Sequence, residues 1–236
     1  MAGAVYIHVP FCEQKCRYCD FTSFGGISEG LQKRYIQALC QESALVSAKL
    51  GWQPQTLFIG GGTPTALPAA LLEQLLAMLQ RCFVTEALTE FSVEANPGTL
   101  TAEKLRLLRR YGVNRLSMGV QSARAEELTL LGRSHTFAQA KAGVRCARAA
   151  GFDNISVDLI YGLPGQSVTQ WRETLEAVLA LETEHLSLYQ LKIEEGTVFG
   201  HWLEQGILTE FDDEVAWEMY DLGHTLLEAH GYQQYE

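Results

Sequence analysis

Short apolar runs alternate with longer amphipathic runs along the chain from residue 4 to about residue 190. The short runs are rich in Val, Ile, Leu, Phe and Tyr, which is typical of buried parallel strands. They predict six strands, at residues 4–9, 55–60, 89–95, 114–119, 154–160 and 184–190. Each predicted strand is apolar as far as its carboxyl end, where glycine, proline or polar residues follow.

The amphipathic runs have recognisable helix ends. Thr101 and Thr136 are placed to cap helices that end near Gly112 and Gly151, and Ser167 begins a third helix with a capping box. Strand–helix units in series predict one parallel sheet, because each crossover returns the chain in the same direction. This pattern alone allows either an open doubly wound sheet or a barrel.

Polar and glycine-rich segments follow the predicted strands. A Gly60–Thr63 turn follows the second strand, and Glu94, Gln121 and Asp158 lie at the ends of later ones. Active sites in barrels and open sheets occupy the carboxyl ends of the strands, so these segments predict one site for a ligand larger than a metal ion. Tight turns, helix caps and, for Arg133, a solvated surface charge are the structural alternatives.

Composition and charge narrow the class of protein. The 236 residues are 47% hydrophobic and 19% charged, as in a soluble enzyme of one large domain. Acidic residues outnumber basic ones by 28 to 18, with no basic run, which argues against binding to nucleic acid or an anionic membrane. The first strand begins at residue 4 and leaves no room for a signal peptide, so we expect a cytoplasmic protein. Three separate cysteines, Cys40, Cys82 and Cys146, are expected to be small buried hydrophobes.

The other three cysteines, Cys12, Cys16 and Cys19, form a Cys-x3-Cys-x2-Cys motif directly after the first strand. Three thiolates are one fewer than the four ligands that close a structural zinc or iron–sulfur centre. An open iron can hold a substrate or cosubstrate, so the spacing points to chemistry. The alternative is a structural zinc site with His8 as its fourth ligand, although His8 also fits a hydrogen-bonded histidine on the same face as Tyr6.

Five further runs accompany the cysteine motif: Tyr-Ile-His-Val-Pro-Phe-Cys, Gly-Gly-Gly-Thr-Pro-Thr, Val-Glu-Ala-Asn-Pro, Met-Gly-Val-Gln-Ser and Asp-Leu-Ile-Tyr-Gly-Leu-Pro-Gly-Gln. Together they resemble the radical SAM superfamily, in particular the branch of the oxygen-independent coproporphyrinogen III dehydrogenases (HemN) and the haem chaperones (HemW). The resemblance implies an α/β fold, a partial TIM-type (β/α)6 radical SAM barrel with parallel strands. It also implies a [4Fe–4S] cluster on the three cysteines, with S-adenosylmethionine bound to the fourth iron.

The resemblance assigns cofactor contacts residue by residue. Those that match contacts to a first S-adenosylmethionine are Tyr6, Gly61 and Glu94. Those that match contacts to a second molecule in the dehydrogenases are Tyr18, Gly62, Thr63, Gln121, Arg133 and Asp158. In this family one electron from the cluster cleaves the cosubstrate to a 5′-deoxyadenosyl radical.

Phe21 separates the two branches, because the dehydrogenases carry a fourth cysteine at that position. The resemblance therefore favours a haem chaperone, with coproporphyrinogen III dehydrogenase as the alternative. The partners it implies are haem, a recipient haem protein and an electron donor such as flavodoxin or ferredoxin. It implies no nucleic acid, and membrane contact only through a recipient.

Two domains are expected. Residues 1–200 would form the radical SAM core, and residues 201–236 the start of an incomplete C-terminal domain with a helical segment at about 211–230. The family's chains continue further, and this sequence ends before the His-Asn…Tyr-Trp motif that the chaperones use with haem. We therefore expect a C-terminally truncated member that carries the cluster part of the function.

Overall fold

The computed structural model describes residues 3–236. The strands in this range are β1 (Ala4–Val9), β2 (Phe11–Cys12), β3 (Phe24–Gly25), β4 (Thr56–Gly61), β5 (Glu90–Ala95), β6 (Arg115–Gln121), β7 (Ile155–Tyr161) and β8 (His185–Gln190). The α-helices are α1 (Glu29–Leu50), α2 (Ala69–Cys82), α3 (Ala102–Arg110), α4 (Ala125–Leu131), α5 (Phe137–Ala149), α6 (Val168–Leu179), α7 (Val198–Glu204) and α8 (Asp213–Ala229). Three 3₁₀ turns lie at Pro64–Ala66, Thr85–Ala87 and Pro97–Thr99.

Six parallel strands form one sheet in the order β1-β4-β5-β6-β7-β8. The spatial order follows the chain order without reversal, as in the wall of a barrel, whereas a doubly wound sheet reverses direction at a switch point. Within residues 3–236 the outer sides of β1 and β8 pair with no strand, so the barrel is incomplete. The predicted α/β fold, a partial TIM-type (β/α)6 barrel, is confirmed.

All six predicted strands are present, with ends shifted by at most two residues. The predicted helix caps are also present. The Thr101 hydroxyl accepts a hydrogen bond from the Lys104 N–H at 3.2 Å, and Thr136 and Ser167 each form a reciprocal capping box. These three caps fix the starts of α3, α5 and α6.

The two faces of the central strands differ in polarity, which the sequence analysis did not predict. Alternate residues such as Val93, Met118 and Val157 are fully buried in the core beneath the helices. Between them the strands carry Ser92, Glu94, Ser117 and Asp158, which lie on the concave face. The expectation of apolar strands up to their carboxyl ends was therefore wrong, because Glu94, Ser117 and Asp158 on this face line a cavity and not the hydrophobic core.

A second, smaller hydrophobic cluster lies apart from the main core. It consists of Leu131, Ile160, Leu163 and Phe199, with Tyr18 and Trp202 among the partly buried residues packed against it. This cluster joins the end of α4, the end of β7 and α7 beneath the cysteine motif.

The last long helix, α8, packs on α6. The buried Trp171 indole donates a hydrogen bond to the Met219 carbonyl at 2.9 Å, and Met219 itself is fully buried in the main core. None of the helices within residues 3–236 combines the length and apolar character that a membrane span requires.

The three isolated cysteines differ from expectation. Cys40 and Cys82 are partly buried, but Cys146 is exposed on α5. The prediction that Cys146 is a buried hydrophobe was wrong, since it lies on the solvent face of an amphipathic helix whose inner face is formed by Ala140, Val144 and Ala147.

Candidate functional site

The cysteine motif lies in a loop between β1 and α1, and its first part is attached to the neighbouring strand end. The Gly62 N–H donates to the Val9 carbonyl at 2.9 Å, and the Thr63 N–H donates to the Phe11 carbonyl at 2.7 Å. A Cβ at Gly62 would lie 2.7 Å from the Phe11 oxygen, which explains the need for glycine there. The Gly60–Thr63 segment therefore acts as more than a tight turn, because it holds the start of the cysteine loop.

His8 is fully engaged within the protein. Its Nε2–H donates to the Thr22 carbonyl at 2.9 Å, and its Nδ1 accepts from the Tyr6 hydroxyl at 3.0 Å. Tyr6 and His8 thus lie on the same face, as predicted. With both ring nitrogens occupied, His8 holds the far end of the cysteine loop and is not free to bind a metal ion.

A cavity of about 140 Å³ lies at the carboxyl ends of the strands and is lined by all three cysteines of the motif. Eight of the nine residues predicted to contact S-adenosylmethionine also line it: Tyr18, Gly61, Gly62, Thr63, Glu94, Gln121, Arg133 and Asp158. Residues scattered over the chain from 12 to 158 therefore share one site. Ser117 also lines the cavity and was not predicted from the sequence, although it lies two residues before Gly119 on the same strand face. Its hydroxyl donates to the Asp158 carboxylate at 3.0 Å.

Tyr6 is the exception among the predicted contacts. It does not line the cavity; its ring is 56% exposed and stacks on Phe58 with centroids 6.1 Å apart. The Tyr6 hydroxyl hydrogen-bonds to His8, which in turn bonds to the Thr22 carbonyl of the cysteine loop. Tyr6 therefore supports this loop indirectly.

Two carboxylates give the cavity an acidic side. Burial raises the pKa of Glu94 to about 7, with the Asp158 charge adding to the rise and the Gly61 N–H, at 3.0 Å, opposing it. Burial also raises the pKa of Asp158, against hydrogen bonds from Ser187 and Ser117. A cationic group bound beside these carboxylates would favour their ionised form and offset part of the cost of burying the charge.

Arg133 supplies a positive group on the other side. Its guanidinium donates to the Cys16 sulfur at 3.3 Å and to the Gly119 carbonyl at 2.5 Å. Its Nε is buried and has no protein partner, and the same is true of the Gln121 side-chain oxygen. Gln121 has φ +69°, at an irregularity in the pairing of β6 with β7. Unpartnered polar atoms and a strained backbone in one cavity are features of a ligand site.

The donor set fits an iron–sulfur cluster with an open position. No three His, Cys, Asp or Glu side chains within residues 3–236 converge closely enough to hold a single metal ion. In a [4Fe–4S] cluster each thiolate binds a different iron, so the ligands are spread around the cluster. In the part of the chain that the structure describes, no fourth cysteine and no histidine lines the cavity. A single-ion zinc site with His8 as a ligand does not fit this arrangement.

A larger cavity, about 1410 Å³, lies between β8, α8 and residues 230–236. It contains none of the three cysteines and none of the nine predicted contact residues. The smaller cavity is therefore the candidate functional site, because the chemistry-bearing residues converge there.

Comparisons with known proteins show the family to which the chain belongs. The family described as the Radical SAM superfamily matches residues 6–178. The heme chaperone HemW of Bacillus subtilis (strain 168) is 43% identical over 99% of the chain, and HemW of Escherichia coli (strain K12) is 40% identical over 99%. The chain spans only 62% and 61% of the lengths of these relatives.

A solved structure is also similar along nearly the whole chain. The coproporphyrinogen III oxidase (HemN) of Escherichia coli, described as a radical SAM enzyme, superimposes with a TM-score of 0.88 at 29% identity. The similarity covers 98% of this chain and 53% of that one.

Proposed function

The chain belongs to the radical SAM superfamily, and on that basis we propose that Cys12, Cys16 and Cys19 hold a [4Fe–4S] cluster whose fourth iron binds S-adenosylmethionine. One observation carries the proposal: the three thiols and eight of the predicted contact residues line a single cavity. The bound cluster supplies one-electron chemistry, and the protein positions the cofactors and excludes water.

The charges of the cavity match the cosubstrate. Glu94 is suited to the cationic groups of a first molecule, and Asp158 and Arg133 are suited to the cationic groups and the carboxylate of a second. The proposed contacts remain those drawn from the sequence: Tyr6, Gly61 and Glu94 for a first molecule, and Tyr18, Gly62, Thr63, Gln121, Arg133 and Asp158 for a second. Tyr6 is the weakest of these, because it lies outside the cavity.

We further propose that the protein is a haem chaperone, which binds haem and passes it to a recipient haem protein. The similarity to the HemW chaperones supports this, as does Phe21 at the position of the dehydrogenases' additional cysteine. Phe21 lines the cavity beside the cluster cysteines. A flavodoxin or ferredoxin as electron donor and a cytoplasmic location belong to the same proposal.

The domain division is part of this proposal too. Residues 1–200 would form the cluster-binding core and residues 201–236 the start of a C-terminal domain. Because α8 packs on α6 through Trp171 and Met219, this second segment would dock firmly on the barrel.

Iron content and haem binding test the chaperone function. After anaerobic reconstitution we expect about four irons per chain. Replacing Cys12, Cys16 and Cys19 together by Ala should abolish the iron, whereas Cys146→Ala, at an exposed cysteine outside the site, should leave it unchanged. Transfer of haem from the reconstituted protein to an apo-haemoprotein tests the handling step. Iron retained by the triple variant, or a colourless protein with stoichiometric zinc, would reject the cluster.

The second candidate is a coproporphyrinogen III dehydrogenase, favoured by the TM-score of 0.88 to the HemN structure. The assay incubates reduced, reconstituted protein with S-adenosylmethionine and coproporphyrinogen III. Formation of 5′-deoxyadenosine together with decarboxylated product would support this enzyme. A bound cluster without product, combined with haem transfer, would support the chaperone.

A further inference from the structure

Arg17 lies inside the cysteine motif, between Cys16 and Cys19. It contacts the end of α4 and the helix α7. The loop's two ends are held near β1: Gly62 and Thr63 bond to its start, and His8 bonds to the carbonyl of Thr22 near its end. The middle of the loop, which carries two of the three thiols, is held elsewhere. Besides the hydrogen bond from Arg133 to the Cys16 sulfur, Arg17 supplies its main-chain attachment.

The first part of this attachment is the carboxyl end of α4. The last carbonyl groups of a helix have no partner within it. The Arg17 main-chain N–H donates to the Leu131 carbonyl at 3.0 Å, and its guanidinium donates to the carbonyls of Thr129 at 3.0 Å and Leu130 at 3.2 Å. A positive charge also interacts favourably with a helix C-terminus. Arg17 therefore caps α4.

The second part is α7. The Arg17 carbonyl accepts a hydrogen bond from the Phe199 N–H at 3.0 Å, and the guanidinium carbon lies 5.1 Å from the centroid of the Trp202 ring. The next residue, Tyr18, packs on the small hydrophobic cluster that includes Phe199. One residue thus connects the cysteine loop to two helices that follow it by more than a hundred positions.

Arg17 is also closely packed against the end of α4. Gly132, which ends α4 with φ +72°, approaches the arginine so closely that a Cβ there would lie 3.0 Å from Arg17 Cγ. The geometry needs glycine for its left-handed backbone and for the approach.

We infer that Arg17 is a positioning residue that clamps the cysteine loop to α4 and α7 and so sets the places of Cys16 and Cys19 for the cluster. The role of these contacts in placing the thiols rests on the proposed cluster, whereas the contacts themselves do not depend on it. A lysine at this position keeps the charge and a donor at the helix end but lacks the planar guanidinium that stacks on the Trp202 indole. It should therefore act only in part.

The first test needs no cluster. Amide hydrogen exchange is measured on iron-free wild type, Arg17→Ala, Arg17→Lys and, as a control, Arg106→Ala, which removes an exposed arginine of α3. We expect about tenfold faster exchange in Arg17→Ala for the amides of residues 16–19 and of Phe199, with β5 and β6 unchanged. Arg17→Lys should lie between, and it replaces Arg17→Ala if that variant fails to fold. Exchange equal to that of the control overturns the inference.

The second test uses reconstituted protein. Arg17→Ala should lose iron to a chelator about tenfold faster than wild type and show a broadened electron paramagnetic resonance spectrum of the reduced cluster, with Arg17→Lys closer to wild type. An unchanged spectrum and an unchanged rate of iron loss would reject the positioning role. Should wild type bind no cluster, the proposed function fails, while the exchange measurement still decides whether the clamp exists.

Discussion

Replacing Glu94 by Gln is expected to stabilise the ligand-free protein at neutral pH. The carboxyl group has a pKa of about 7 in the folded protein, against an ordinary value of 4.5, chiefly because it is buried. An unfolded chain ionises this group near pH 4.5, whereas the folded chain must hold the proton until about pH 7. Stability is therefore highest at low pH and falls as the pH rises between these two values.

The size of the effect follows from the displacement of the pKa. Each unit corresponds to about 1.4 kcal/mol, so the free energy of unfolding should fall by about 2 to 3 kcal/mol between pH 5 and pH 8. The Glu94→Gln substitution keeps the size of the side chain and an oxygen for the Gly61 N–H, but the amide does not ionise. The advantage of this variant over wild type should therefore be small at pH 5 and should grow by this amount at pH 8.

Urea unfolding of the iron-free, reduced proteins at the two pH values measures the difference. Glu73→Gln is the matched control, because the Glu73 side chain is 47% exposed and its ion pair with Arg110 spans 3.6 Å, which predicts a change below about 1 kcal/mol. The reasoning is refuted if Glu94→Gln and wild type differ by the same amount at pH 5 and pH 8. A confirmed difference would show that the site retains an acidic group at the expense of stability, as a site for a cation should.

Three further predictions concern the cysteine loop, the docking of α8 on α6 and the cap of α6. Gly62→Ala places a Cβ 2.7 Å from the Phe11 carbonyl oxygen, so iron uptake should fall and the free energy of unfolding should drop by about 1 to 3 kcal/mol. A normal iron content in this variant would contradict the prediction. Trp171→Phe removes the buried indole that donates to the Met219 carbonyl, so urea unfolding should show a loss of about 1 to 3 kcal/mol and hydrogen exchange should be faster in α8. Unchanged exchange there would count against this docking contact. Ser167→Ala removes a helix cap and should cost about 1 kcal/mol in the same unfolding assay, with iron content unaltered; lost iron would show that the cap serves the site.

Much of the fold was predictable because its signals are local. Hydrophobic runs located all six barrel strands, and the caps at Thr101, Thr136 and Ser167 located three helix starts. The choice between a barrel and a doubly wound sheet was not local, since it depends on the order in which strands pair. Only the resemblance of the motifs to a known family decided it in advance.

The candidate site was predictable for a similar reason. Parallel strands end at one rim, so polar residues at strand ends must come close together, and Glu94, Gln121 and Asp158 do so. The sequence did not reveal which contacts hold the cysteine loop and the strand ends in place. The positive φ of Gln121 and the reach of Arg17 to the end of α4 depend on distant parts of the chain. The hydrogen bond from the Tyr6 hydroxyl to His8 was likewise not apparent from the sequence.

The central claim is that three thiols leave one iron of a cluster open to S-adenosylmethionine. The most direct measurement is the electron paramagnetic resonance spectrum of the reduced, reconstituted protein before and after addition of the cosubstrate. We expect a [4Fe–4S]⁺ signal whose g-values change on addition, with the change lost in Glu94→Gln at matched iron content. A cluster signal that S-adenosylmethionine leaves unaltered, or a protein that forms no cluster on Cys12, Cys16 and Cys19, would contradict it.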